Sequence, residues 1–115
     1  RGVIDRIDEP APNKFEIIDY KTGTAKNEKT VEKDQLLIYQ IAAEKSLNLS
    51  PHQLTYYYLD DNTALSFLGT PQDLAKIKEK ITTLIEQINQ KNFTATPSEF
   101  ICSYCDFKSI CPHRA

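Results

Sequence analysis

The stretch Ile17-Ile18-Asp19-Tyr20-Lys21-Thr22-Gly23 organises the chain. Apolar residues lead into an Asp-x-Lys pair and stop at Thr-Gly, which predicts a strand whose end carries two charged side chains. A charged side chain next to an apolar strand is costly unless it is paired or used. The neighbouring segments indicate a use, because they bring further acidic and polar residues towards this strand end.

A second strand is predicted immediately before this one. Residues 2–8 alternate β-branched and polar side chains, residues 9–13 contain Pro10 and Pro12, and residues 14–21 form the strand that ends in Asp-x-Lys. Because proline cannot donate to a strand ladder, both prolines are assigned to a turn over residues 9–13. Residues 2–21 are therefore predicted to form a β-hairpin.

The register of this hairpin decides which side chains meet. If it folds symmetrically about its second proline, Ile7 lies opposite Ile17 and Asp5 lies opposite Asp19, with opposed Cβ atoms about 4.5–5.5 Å apart. Two carboxylates so close repel, and a hard cation such as Mg²⁺ or Mn²⁺ removes the repulsion. Lys21 shares the face of Asp19, where it can stabilise charge on a phosphate. Alone, Asp-x-Lys is more typical of a surface salt bridge, and Asp5 is what favours a metal site.

The remaining chain predicts two helices around a second hairpin. Gln35 and Tyr39 are four residues apart and share one side of the first helix. Without a functional role, the two side chains would form a half-buried polar edge of that helix. Tyr56, Tyr57 and Tyr58 indicate core packing more than base stacking. The predicted elements are a helix over about 30–47, strands over 53–59 and 63–68, and a helix from Pro71 to about 91, capped by Thr70 and Asp73.

Composition sets broad limits on the class of protein. The chain has 115 residues, which is long enough for one domain. Its formal net charge is -2, so the overall charge does not indicate that it binds a polyanion. No apolar run approaches the roughly 20 residues that span a bilayer, so no membrane partner is predicted. The chain begins at Arg1 without a signal-peptide pattern and runs directly into a strand, which predicts a fragment of a longer protein.

Three cysteines close the chain in the pattern Cys102-x2-Cys105-x5-Cys111-Pro112. An odd number clustered at one end argues against a secreted disulfide scaffold and favours a reducing, cytoplasmic setting. Thiolates bind zinc or iron–sulfur clusters, and either site takes four ligands. Within the chain, His113 is the candidate fourth ligand of a Cys₃His zinc site, and the alternative is three unligated thiols that pack as small apolar groups.

Three segments together resemble the successive motifs of the PD-(D/E)XK nuclease superfamily: Gly2-x-x-Asp5-Arg6-Ile7-Asp8, residues 18–23, and Gln35-x3-Tyr39. They look most like its RecB-type branch, found in RecB and AddB recombination nucleases and in CRISPR-associated exonucleases. The resemblance implies an α/β fold of restriction-endonuclease-like type, a mixed sheet flanked by helices with a cysteine-rich irregular tail. It also implies roles for six residues: metal ligation by Asp5, Asp19 and the Tyr20 backbone carbonyl, catalysis by Lys21, and support of DNA or of the catalytic groups by Gln35 and Tyr39.

The cysteine pattern extends the same resemblance to the end of the chain. It is similar to the iron-staple form of AddB-type nucleases, in which a fourth cysteine lies far upstream and a 4Fe–4S cluster ties the tail to the nuclease core. That implies a cluster on Cys102, Cys105 and Cys111 whose fourth ligand precedes this chain, with zinc as the alternative. The predicted organisation is a nuclease core over 1–93, lacking its amino-terminal helix and first strand, and a cluster-binding tail over 94–115 of the same domain.

The function predicted from these features is a deoxyribonuclease, an exonuclease that depends on Mg²⁺ or Mn²⁺. It would be the nuclease domain of a larger helicase–nuclease or DNA repair and recombination protein, with DNA and a helicase domain or subunit as partners. Two alternatives belong to other classes: a non-cleaving DNA-binding or scaffold module with the same fold, and a small zinc-binding interaction domain. The intact Asp5, Asp19 and Lys21 favour the nuclease, because a scaffold does not need all three.

Overall fold

The computed structural model describes residues 2–25, 27, 30–91 and 93–115, and the chain divides into two compact units, Arg1–Ile81 and Thr82–Ala115. The described part of the first unit is built on one mixed sheet in the order β1-β2-β3-β4. The strands are β1 (Arg6–Ala11), β2 (Lys14–Lys21), β3 (Pro51–Tyr58) and β4 (Thr63–Phe67). The pairs β1–β2 and β3–β4 are antiparallel, and β2–β3 is parallel because helix α1 (Asp34–Ala42) carries the chain across between them.

The amino-terminal hairpin has the predicted register away from its turn, where Ile7 pairs with Ile17, but the pairing shifts by one residue between Asp8 and Ala11. The strand begins later than predicted, at Arg6, and it includes Pro10. The turn is therefore shorter than residues 9–13 and consists of Pro12 and Asn13, whose φ is 60°. The assignment of Pro10 to the turn is wrong because β1 is an edge strand of the described sheet, where a residue without an N–H costs little.

The first helix is shorter than predicted. The backbone amides of Thr30 and Val31 both donate to the Asn27 carbonyl oxygen, at 2.9 and 3.0 Å, so the chain makes a turn there and the helix begins only at Asp34. After Ala42 the helix widens into a π-helical turn, Ala43–Leu47, and it stops at Asn48 in the left-handed conformation.

The core lies between the sheet and the helices of the first unit. Its buried side chains come from the strands, from α1, from the π-helical turn after it and from α2 (Pro71–Asn89): Ile17, Leu36, Leu37, Ala43, Leu54, Tyr56, Tyr58 and Ile77. No helix in the described ranges is both long enough and apolar enough to cross a membrane. The architecture is α/β with a mixed sheet and flanking helices, as predicted.

Gly69, between β4 and α2, is packed against α1 without room for a side chain. Its N–H donates to Gln40 Oε1 at 3.0 Å, and a Cβ atom would lie 2.5 Å from Leu37 Cδ2 and 2.6 Å from Gln40 Oε1. Gly69→Ala is therefore expected to lower the free energy of unfolding by about 1–3 kcal/mol, since overpacking displaces buried groups. Urea denaturation measures this, with exposed Gln72→Ala as the control; equal midpoints for the two variants would contradict the close packing.

The predicted cap of α2 is confirmed. Thr70 Oγ1 accepts from the Asp73 N–H at 3.2 Å, and Asp73 Oδ2 accepts from the Thr70 hydroxyl at 2.6 Å and from the Thr70 N–H at 3.0 Å. These hydrogen bonds, the hydroxyl first, hold the pKa of Asp73 below its ordinary value.

A carboxyl whose pKa is lowered by folding stabilises the protein above its unfolded pKa, and this stabilisation is lost as pH falls through the folded pKa. Asp73→Asn is therefore expected to lower the urea midpoint at pH 7 and to change it much less at a pH below the folded pKa of Asp73, which lies under the ordinary carboxyl value of about 3.9. Asp60→Asn, on an exposed turn, is the control. A deficit of the same size at both pH values would contradict the capping role.

The second unit holds the cysteines. Its described part includes the short helix α3 (Glu99–Ser103), a departure from the irregular tail predicted over 94–115. Ser98 begins this helix by accepting from the Ile101 N–H at 3.2 Å.

Candidate active site

The end of β2 and one side of α1 bring four of the five predicted catalytic residues together. Asp19 and Lys21 lie two residues apart on β2 and therefore on one face of the sheet. Gln35 and Tyr39 lie one turn apart on α1, which packs against β2.

Asp19 is the buried charge of the site. Its residue is 3% exposed, and its Oδ1 accepts from Gln35 Nε2 at 2.9 Å. Its Oδ2 lies 2.6 Å from Lys21 Nζ, an ion pair by distance, but it receives no hydrogen bond of acceptable direction from any residue in the described ranges. We take the pair as Coulombic, since the approach of the ammonium is close but poorly aligned. Buried oxygens without a hydrogen bond are rare and call for an explanation, such as strain, a bound ion or a catalytic role.

Gln35 joins the acid to the lysine. Its amide oxygen accepts from Lys21 Nζ at 2.7 Å, and its amide nitrogen donates to Asp19 Oδ1. Only this orientation of the amide gives a donor to the carboxylate and an acceptor to the ammonium. Gln35 therefore sets the distance between the two charged groups from a separate element.

Tyr39 ties the segment before β1 to the helix. Its hydroxyl donates to the Val3 carbonyl oxygen at 2.7 Å and accepts from Gln35 Nε2 at 3.2 Å. A Cβ atom at Gly2 would lie 3.3 Å from Tyr39 Cε1, so glycine permits this approach. The third predicted motif thus contacts the first through a side chain.

Asp5 is placed differently from its prediction. It lies one residue before β1, and the sheet pairing ends at Arg6–Ile18, short of the predicted Asp5–Asp19 pair. The side chain of Asp5 turns instead to the backbone, where its Oδ2 accepts from the Tyr20 N–H at 3.1 Å. Asp5 is therefore an exposed acid beside the residue that separates Asp19 from Lys21.

A cleft of about 770 Å³ opens beside Lys21, whose side chain is 35% exposed. Its volume falls in the range of small-ligand sites. The lining side chains come from the end of β2, the loop after it, the start of α1 and β3: Lys21, Thr22, Gly23, Thr24, Val31, Glu32, Asp34, Gln35, Ile38, Tyr56 and Tyr58. The loop is held by Asp61, whose Oδ2 accepts from the Ala25 N–H at 3.0 Å.

Tyr56 is a site residue that the sequence did not reveal as one. It was predicted to be a core tyrosine, which its burial confirms, but its ring centroid also lies 5.0 Å from Lys21 Nζ. The parallel register of β2 and β3 identifies Tyr56 as a site residue, because it pairs Tyr56 with Asp19. A single sequence does not contain that register.

The described residues contain no group of three or more His, Cys, Asp or Glu side chains arranged to hold a metal. Mg²⁺ needs fewer, since it commonly takes one or two carboxylates and keeps water or phosphate at its other positions. Asp19 Oδ2, beside the Lys21 ammonium, and the exposed carboxylate of Asp5 are oxygen donors of that kind. In donor chemistry, these two carboxylates fit a hard divalent cation.

The cysteines do not form such a group among the described residues. Cys102, Cys105 and Cys111 are free and partly buried, and His113 does not complete a metal-binding set with them. Helix α3 and the turns after it place them, with the Cys111 N–H donating to the Phe107 carbonyl oxygen at 3.0 Å.

Comparison with known proteins identifies the family of the chain. The family model of the PD-(D/E)XK nuclease superfamily matches residues 1–112, so the chain belongs to this superfamily. No individual curated protein matches the chain significantly. Proteins of the superfamily are generally nucleases that act on DNA and typically use divalent metals. The mixed four-stranded sheet with flanking helices is consistent with their restriction-endonuclease-like fold.

Proposed function

We propose that this chain is the catalytic core of a metal-dependent deoxyribonuclease. One observation carries the proposal: Asp19 is buried, its Oδ2 has no hydrogen bond from the described residues, and Lys21 lies beside it at the edge of a cleft. A buried carboxylate oxygen without a hydrogen bond is rare, and a catalytic role is one explanation for it. In a chain of a nuclease superfamily, that role is phosphodiester hydrolysis.

We assign to the side chains the roles that the resemblance to the superfamily implies. Asp5, Asp19 and the Tyr20 carbonyl oxygen would hold Mg²⁺ or Mn²⁺. When bound, the cation would polarise a phosphoryl oxygen and lower the pKa of a water molecule. The Lys21 ammonium stabilises negative charge that develops on the phosphate. Gln35 keeps Asp19 and Lys21 at a set distance, and Tyr39 keeps the segment that leads to Asp5 against α1.

Within the superfamily we propose a RecB-type nuclease that works as an exonuclease. The support is the order of three motifs over residues 1–39, together with the side-chain contacts that join them through Gln35 and Tyr39. The proposal includes a cytoplasmic DNA repair or recombination protein as the parent and a helicase domain or subunit as the partner.

The experiment is a cleavage assay on the complete natural protein. End-labelled single-stranded and duplex DNA are incubated with Mg²⁺, with Mn²⁺ and with EDTA. We expect degradation with either metal and none with EDTA, and successive short products would indicate an exonuclease. DNA binding without cleavage under all conditions would contradict the proposal and favour the scaffold module.

The cysteines form a separate part of the proposal. We propose that Cys102, Cys105 and Cys111 bind a 4Fe–4S cluster with a fourth ligand from outside this chain, and that the cluster holds the tail in place. The support is the spacing and the free state of all three thiols, which would have to move together on binding. Anaerobic purification of the complete protein should give a brown protein with visible absorbance. A colourless protein with one equivalent of zinc would contradict the cluster and indicate a zinc-binding domain.

A further inference from the structure

The ring of Tyr56 lies beneath the amine of Lys21. Tyr56 belongs to β3 and pairs with Asp19 across the parallel β2–β3 ladder, so its side chain projects to the face that carries the acid and the lysine. Its ring centroid is 5.0 Å from Lys21 Nζ, within the range of about 6 Å over which a cation and an aromatic face attract. The residue is 1% exposed, so the ring is shielded from water, which would weaken that attraction.

Three groups from three elements surround the Lys21 amine. They are Asp19 Oδ2 from β2 at 2.6 Å, Gln35 Oε1 from α1 at 2.7 Å, and the Tyr56 ring from β3. A lysine side chain has a flexible four-carbon stem and loses considerable rotamer entropy when its amine is held at one point. The Asp19 carboxylate attracts the amine from β2 and the Gln35 amide oxygen attracts it from α1. The Tyr56 ring supplies a third attraction from the neighbouring strand, β3.

The hydroxyl of Tyr56 has a second contact. It donates to the Glu32 carbonyl oxygen at 3.0 Å, in the segment that leads into α1. Burial raises the pKa of Tyr56 to about 12, so the phenol keeps its proton and remains a donor at neutral pH. One side chain therefore contacts both Lys21 and the approach to the helix that carries Gln35.

We propose that Tyr56 is a positioning residue for Lys21, with its ring face holding the ammonium at the edge of the cleft and its hydroxyl fixing the start of α1. The consequence for catalysis rests on the proposed nuclease function, whereas the contact itself does not. The two contacts are separable, because phenylalanine keeps the ring and loses only the hydroxyl.

The first experiment tests the contact without any cleavage assay. In ¹H–¹³C NMR of the full chain without added metal, the Lys21 ε-methylene protons should resonate upfield of those of other lysines, because the Nζ atom bonded to that methylene lies over the face of the Tyr56 ring. Tyr56→Phe should keep this shift and Tyr56→Leu should abolish it. Unshifted Lys21 protons in the wild-type chain would overturn the proposal.

The second experiment tests the electronic origin of the effect. Phenylalanines with one, two and three ring fluorines are incorporated at position 56 of the complete protein, which weakens the attraction for a cation with little change in shape. We expect kcat to fall stepwise, by about three- to thirtyfold over the series, with KM for DNA nearly unchanged. The same series at Tyr57, the neighbouring residue on the opposite face, should show no such trend.

The outcomes separate this inference from the proposed function. A flat kcat across the fluorinated series, in a protein whose Lys21 protons are shifted, would show that Tyr56 only fills space and would overturn the positioning role. If Lys21→Ala leaves the cleavage rate unchanged, the assignment of Lys21 in the proposed function fails, while the NMR shift still decides whether the contact exists.

Discussion

Lys21→Ala is expected to reduce the rate of DNA cleavage by about 10²- to 10³-fold, the loss typical when one preorganised group that stabilises transition-state charge is removed. Lys21 Nζ is held within 2.7 Å of both Asp19 and Gln35, so its charge is already oriented before substrate arrives. We expect the loss mainly in kcat. Lys21→Arg, which keeps the charge with a different shape, should recover only part of the rate.

Lys14→Ala is the matched control for this prediction. Lys14 lies at the other end of β2, is exposed and belongs to no part of the site. Its removal takes away one positive charge from the same strand and should leave cleavage unchanged. Equal rates for Lys21→Ala and the wild-type protein would contradict the assignment of Lys21, and equal losses in the two alanine variants would indicate a general effect of charge on DNA binding.

Asp19→Asn is expected to have the larger effect, a loss of about 10³-fold or more, because one substitution changes the metal site and the partner of Lys21 together. An asparagine keeps the volume and an acceptor for Gln35 Nε2, but it presents no charge to the Lys21 ammonium and is a poorer ligand for a hard cation. Calorimetric titration with Mn²⁺ should show weakened binding in the same variant, which separates metal loss from a simple loss of rate.

Two comparisons make the Asp19 prediction decisive. Asp8→Asn removes an acid from the neighbouring strand, where Asp8 pairs with Arg6 at 2.7 Å, and it should leave both cleavage and Mn²⁺ binding intact. The double variant Asp19→Asn/Lys21→Ala should be little worse than Asp19→Asn alone, since residues that act as a unit are not additive. Fully multiplied losses would contradict a coupled pair.

Much of the candidate site follows from local periodicity. Asp19 and Lys21 share a face because strand side chains alternate, and Gln35 and Tyr39 share a side because helix positions four apart are neighbours. The cap of α2 by Thr70 and Asp73 is equally local, and it forms as predicted. In each case the residues that decide the geometry lie within four positions of one another.

The predictions that fail are those in which segments far apart in the sequence determine the geometry. The sequence predicts Pro10 in a turn because its neighbours do not show that β1 is an edge strand. An ideal register predicts Asp5 opposite Asp19, whereas contacts from Tyr39 to Val3 and from Tyr20 to Asp5 set the path before β1. Those contacts join residues far apart in the chain, and one sequence does not contain their geometry.

The sequence by itself determined that an acid and a lysine end a strand on one face, that a glutamine and a tyrosine share a helix side, and that their order matches a nuclease superfamily. Only the tertiary structure decided how they meet. Packing α1 against β2 placed Gln35 between Asp19 and Lys21, and the parallel pairing of β3 placed Tyr56 beneath the lysine. The physical reason is that alternation and helical pitch act over a few residues, whereas the position of a buried charge depends on every element that packs around it.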